Sequence, residues 1–160
     1  MNAATAAQLG GATDKAAAVI DAYTAAAQVE GRSPAPAMLW SEIFGDQLLR
    51  NFGTRYAERL AGAGVPVRLA TYMHAVQTPG RGVPHCADVP VLFGTHTLDY
   101  YRDKIGHGAQ ELQLFEEMAG ALVSFARETQ PTLVSGTAWP VYRPGAPTCV
   151  RWEKAALARE

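Results

Sequence analysis

The stretch "VRLATYM" (67–73) constrains this 160-residue chain more than any other. It is short, β-branched at its start, and bounded by Pro66 and by "QTPGRGVP" (77–84), the pattern of a single strand. Helical patterns surround it. Residues 13–28 put Ala16, Val19, Ile20, Tyr23 and Ala27 on one face, with Thr13 or Asp14 to cap the start. After the Pro-rich "EGRSPAPAM" (30–38), a second helix is expected from about Ser41 to Ala61, capped by Ser41. Its buried stripe would be Phe44, Leu48, Phe52, Tyr56 and Leu60, and "GAGVP" (62–66) would stop it. A third helix is expected over Ala109–Glu128, where Phe115, Met118, Leu122 and Phe125 recur at the spacing of a buried stripe. "HTLDYYRDKIGHG" (96–108) reads as loop or short helical turns, and "TQPTLVSGTAWPVYRPGAP" (129–147) as a long irregular connection. Only "TCVRW" (148–152) offers a further strand, and "EKAALARE" is a polar, helix-prone tail.

A strand followed by helices belongs to a parallel sheet, and such a sheet needs neighbouring strands. Three amphipathic helices with one or two strands cannot build one. The expected architecture is therefore α/β but incomplete: residues 1–160 as the end of a larger α/β domain.

The totals exclude several classes. A net charge of -1 gives no footprint for nucleic acid. No segment reaches the ~18 consecutive apolar residues of a membrane span. "MNAATAAQLGG" has neither the basic region nor the apolar core of a signal peptide. Cys86 and Cys149 form no metal-spaced pair and no disulfide framework, so a reducing, cytoplasmic compartment is expected unless an upstream signal precedes the chain. "LGGATDK" lacks the spacing of a phosphate loop, and no cofactor motif is present.

The candidate chemistry is sparse. A serine nucleophile on a strand-to-helix elbow needs small neighbours, as in G-x-S-x-G. The contexts of Ser33, Ser41, Ser124 and Ser135 are "GRSPA", "LWSEI", "LVSFA" and "LVSGT", and none fits. His74, His85, His96 and His107 stand eleven residues apart each time, a spacing that suits neither a helical nor a strand metal site. "GVPHCADVPVLFG" (82–94) stands out, with His85 in a Pro-flanked loop, Cys86 beside it and Asp88 three residues on. A loop histidine can be a base or merely exposed, and Asp88 can hold a helix start as easily as an imidazole ring.

This stretch resembles the catalytic-histidine region of the type B carboxylesterases, the cholinesterase-like branch of the α/β-hydrolases, with its H-G-x-E-…-F-G pattern. His85 stands at the histidine, Asp88 at the acid, Phe93 and Gly94 at the ending. Other segments are similar to family segments in the same order. "VIDAYTAA" resembles the helix after the acid-bearing loop. "WSEIFGDQLLRNFGTRYAERLAGAGVPV" resembles the D-x-x-F-x-x-P helix, with Asp46 at the aspartate, and "ATYMHA" the strand before the histidine. "LFEEMAGALVSFARETQPT" resembles the M-x-x-x-W-x-x-F-A helix, "AWPVYRP" the W-P-x-Y segment, and "TCVRW" the final strand. The departures are Cys86 for glycine, Asp88 for glutamate, Leu92 in a Phe-rich run, a missing tryptophan in the long helix, and "RETQP" for R-x-G-D-P.

The resemblance implies the C-terminal part of an α/β-hydrolase fold, mostly helices with one or two strands of its parallel sheet. It implies a serine carboxylesterase in which His85 is the general base and Asp88 a supporting carboxylate. The nucleophile, the oxyanion hole and the triad acid would lie upstream. The implied partners are a small-molecule ester and the N-terminal portion of the same fold, with a homodimer through helix 109–128 as in some relatives. Such a chain alone would be inactive. The other reading is a non-catalytic interaction module on the same scaffold, which would have no need of a base at His85.

Overall fold

Gly10 and Gly11 both adopt the left-handed backbone that side chains avoid, and they turn the chain sharply after its first helix. The Gly11 N–H reaches back to the Ala6 carbonyl at 2.8 Å, closing α1 (Asn2–Gln8) and letting α2 (Thr13–Val29) return against it. Ala6, Ala16 and Ala27 are buried, so their small side chains let backbones approach. Ile20, Leu39 and Ile43 supply the bulk, the last two from α3 (Pro36–Gly45). The computed structural model describes residues 1–134, 136, 138–146 and 148–153, which form two compact units divided after Phe52. This first unit is wholly helical. Arg32 ties it with ion pairs to Glu30 (2.8 Å) and Glu42. The Tyr23 hydroxyl donates to Asp46 Oδ2 at 2.6 Å, and Arg50 pairs with Asp46 Oδ1 at 2.8 Å. Burial, then the Asp46 carboxylate, pushes the Tyr23 hydroxyl above the ordinary tyrosine range.

Three sequence expectations change here. The region 1–12 carries a helix that pattern reading left out. No side chain caps α2: Ala12 is the capping residue, with Thr13 and Asp14 inside the first turn. The expected 41–61 helix begins earlier, because Pro36 at the first turn is pre-set for it and leaves Ser41 exposed in mid-helix. It also breaks into α3, a π-helical turn (Asp46–Arg50) and α4 (Asn51–Gly62).

In the second unit β1 (Ala70–Tyr72) pairs in parallel with β2 (Val150–Trp152), Ala70 opposite Val150 and Tyr72 opposite Trp152. These two strands form the whole sheet among the described residues. The connection before β2 is irregular but anchored. The Trp139 indole donates to the Leu69 carbonyl at 2.9 Å and lies edge-on to Trp152, with ring centroids 5.3 Å apart. The Tyr142 N–H donates to the Val67 carbonyl at 2.8 Å. Ser135 of the sequence reading, the "EKAALARE" tail beyond Glu153, and residues 137 and 147 lie outside the described residues.

The long helix α7 (Ala109–Glu128) has the expected bounds, and it packs with α5 (Asp88–Leu92) and α6 (Asp99–Ile105) onto the strands. The core joins Ala87, Val91, Ile105, Leu114, Met118, Leu133, Val150 and Trp152. The buried face of α7 differs from the expected stripe: Glu111, Leu114, Glu117, Met118 and Ala121 are buried, while Leu122 and Phe125 are more than two-fifths exposed. Two acids belong to the inner face because each answers a backbone N–H: Glu111 takes that of Gly108 (2.8 Å) and Glu117 that of Val134 (3.0 Å). The stripe expected of the second helix also faces outward: Phe44 and Leu48 are exposed, and Phe52 and Tyr56 are 64% and 65% exposed. Periodicity marked an apolar face there, but the described chain does not cover it.

Candidate active site

The loop after β1 is built by backbone bonds. The Val76 N–H closes onto the Gly82 carbonyl at 2.8 Å, and the Gln77 N–H onto the Lys104 carbonyl at the end of α6 at 2.7 Å. A turn through His85, Cys86 and Ala87 then feeds α5. The Ala87 N–H donates to the Pro84 carbonyl at 3.1 Å, so His85 rides on a tight reversal just before a helix. Cys86 holds this reversal in the left-handed region, at φ 64°. That is a conformation glycine takes freely, and it is the backbone expected where the resembling pattern has glycine.

His85 is exposed, and among the described residues its imidazole has no hydrogen bond or ion pair. It lines an open cleft of about 350 Å³ together with Cys86, Arg81, Tyr100, Tyr101 and Lys104. Asp88 is the first residue of α5, half-buried, where a carboxylate suits the positive end of the helix. No hydrogen bond joins it to His85. Its charge is felt instead at Tyr72: burial first, then the charges of Asp88 and Glu111, pushes the Tyr72 hydroxyl above its ordinary range. Among the described residues that buried hydroxyl has no hydrogen-bond partner.

Behind the loop lies a pair that sequence reasoning did not single out. His74, just past β1, is buried, and its Nε2 lies 3.0 Å from Glu111 Oε1, within ion-pair distance but out of hydrogen-bond alignment. The other Glu111 oxygen holds the Gly108 N–H, so this acid fastens the start of α7 to the exit of β1. The available signal was a helix start of the form "GAQE", with glutamate three residues after the capping position. The remaining histidines do not converge: His96 is buried near Phe115, and His107 is exposed beside Arg102. No group of three or more His, Cys, Asp or Glu among the described residues is arranged to hold a metal ion. Ser33 and Ser41 are exposed in the first unit, and the Ser124 hydroxyl is tied to the Ala121 carbonyl within α7.

The sequence pattern of the carboxylesterase family matches residues 3–157. The chain belongs to the carboxylesterase family. Its fold agrees: the crystal structure of the Geobacillus stearothermophilus carboxylesterase EST55 at pH 6.2 superposes with a TM-score of 0.64 at 19% identity. That alignment covers 85% of this chain and 29% of the EST55 chain. The carboxylesterase chain described here thus spans under a third of that relative, and its mostly helical structure with a short parallel sheet is part of an α/β-hydrolase fold. No curated protein matches it significantly. No helix among the described residues is long and apolar enough to cross a membrane.

Proposed function

We propose that this carboxylesterase-family chain supplies the general base of a serine carboxylesterase, and that His85 is that base. The observation that carries the reading is the setting of His85: an unpaired, exposed imidazole on the loop that follows a parallel strand, bordering a cleft. In ester hydrolysis a serine oxygen attacks the acyl carbon while the imidazole takes its proton. The imidazolium then protonates the leaving alcohol, and the cycle repeats with water to release the acid. An imidazole suits this because it exchanges protons near neutral pH. The serine, the oxyanion hole and the triad acid are assigned to the N-terminal portion of the same fold, which is the principal partner. None of the described serines sits on a strand-to-helix elbow. Asp88 supports the loop from the first turn of α5. A homodimer through the outer face of α7, where Leu112, Leu122 and Phe125 are exposed, and a cytoplasmic setting that leaves Cys86 and Cys149 as free thiols, complete the proposal.

The test is hydrolysis of p-nitrophenyl acetate by the purified chain and by the chain fused behind the serine-bearing portion of a family member. The chain alone should not exceed its His85→Ala control. The fusion should turn over, be blocked by a serine-directed organophosphate, and lose on the order of 10⁴-fold or more in kcat in His85→Ala. Turnover by the chain alone that vanishes in His85→Ala yet resists the organophosphate would mean a nucleophile within this chain, with Cys86 first to test. A folded fusion with no activity would favour a non-catalytic interaction module.

A further inference from the structure

The cleft beside His85 has a charge that ester chemistry does not require. Its lining includes Arg81 and Lys104 and no carboxylate. Among the described residues neither side chain forms a salt bridge; Lys104 Nζ lies over the Tyr100 ring, 3.3 Å from its centroid, a cation–π contact that brings no anion to it. The nearby acid Asp99 is already beside Arg102, at 3.5 Å. The two cations are also kept together. The backbone bond from Gln77 to Lys104 fastens the Arg81 loop to the end of α6, and the Val76–Gly82 bond closes that loop on itself. The apolar part of the cleft's lining includes Val76, Pro90 and Ile105. At about 350 Å³ the cleft is near the small end of ligand sites, enough for a short acyl chain.

We propose that this cleft binds esters carrying a second, anionic group, such as half-esters of short dicarboxylic acids, with Arg81 and Lys104 holding the carboxylate and the apolar wall the methylene chain. Calling the ligand an ester rests on His85 as the base; its negative charge rests only on the cleft.

The experiment is binding, which needs no nucleophile. The full ¹⁵N-labelled chain is titrated with monomethyl glutarate and, in parallel, with neutral dimethyl glutarate. The half-ester should shift the amides of Arg81, His85 and Lys104 and bind roughly tenfold tighter than the diester. Its affinity should fall roughly fivefold in Arg81→Gln or in Lys104→Gln, and with rising salt. Both side chains are exposed, so the variants should fold, and the salt titration tests the unmodified chain directly. Equal binding of the two esters, or half-ester binding indifferent to both substitutions and to salt, overturns the proposal. Failure of His85 as a base would appear differently: half-ester binding would persist while the fused enzyme stayed inactive.

Discussion

His74 and His85 flank one loop and sit in opposite surroundings. His74 is buried at the exit of β1, with Glu111 of α7 beside it and the Tyr72 ring steeply inclined to its own, the centroids 6.2 Å apart. His85 stands in solvent at the end of the loop, placed by a tight reversal, and among the described residues nothing bonds its ring. A buried imidazole beside a carboxylate serves the scaffold, because in the interior each is the polar neighbour the other would lose if either moved. An imidazole held only through its backbone is free to meet groups that the loop does not contain. Rigidity in the backbone with freedom at the ring is what the proposed role of His85, a base completed by partner residues, requires.

That contrast breaks most readily at Glu111. Glu111→Ala removes the carboxylate beside His74 and the acceptor of the Gly108 N–H, both in a buried setting. Urea unfolding should show a loss of about 3 kcal/mol. His85→Ala should change stability by less than about 0.5 kcal/mol, as at any exposed site without contacts. Comparable losses in the two variants would make His85 a structural histidine and remove the distinction.

Gly106→Ala presses on the same carboxylate. Gly106 has φ 103°, and an added Cβ would lie 2.6 Å from Glu111 Oε1 and 2.9 Å from Gln77 Nε2. Strain plus displacement of the carboxylate should cost about 2 kcal/mol, read as a lower thermal midpoint. A melt equal to that of the parent would show that Glu111 has room to move, and that its pairing with His74 is loose.

How much of this was legible in the sequence differs between the two histidines. β1, β2 and the bounds of α7 could be read because β-branched runs, turn residues and a 3.6-residue period are local signals. The His85 loop could be read through its motif. The His74–Glu111 pair could not, since its members are 37 positions apart and each looks like an ordinary polar residue. The inner face of α7 was misread partly for the same reason: Glu117 is buried against the Val134 N–H, which the fold brings to it and no helical wheel contains, whereas the Glu111–Gly108 contact is local and stood in "GAQE". The stripe from Phe44 to Tyr56 was read as apolar and is apolar, but a period says nothing of which chain covers it.

A smaller effect separates backbone from ring at the loop itself. Cys86 occupies the left-handed region without the freedom of glycine. Cys86→Gly should relieve strain and stabilise the chain by about 1 kcal/mol, partly offset by the greater freedom of glycine in the unfolded state. Chemical denaturation checks this. A loss of stability would mean that the Cys86 side chain itself supports the position of His85.

The smallest expected effect lies beside His74, at Tyr72, whose buried hydroxyl has no hydrogen-bond partner among the described residues and feels the charges of Asp88 and Glu111. Burial leads in raising its pKa above the ordinary 10.0, because the phenolate would be formed in a poorly solvated place beside negative charges. A group whose folded pKa lies above its unfolded value contributes stability that is fully present below the unfolded value, near pH 10, and fades as pH rises through the folded one. Tyr72→Phe removes both the unpaired hydroxyl and this titration. At pH 7 it should be neutral or stabilising by up to about 1 kcal/mol, since an unsatisfied buried hydroxyl is lost and the ring is kept. Above pH 10 the variant should lose stability less steeply than the parent, with Tyr23 left to account for part of the remaining slope. A variant that is clearly less stable at pH 7 would mean that the hydroxyl is bonded in the folded protein. Tyr72 would then join the His74–Glu111 scaffold rather than stand unpaired beside it.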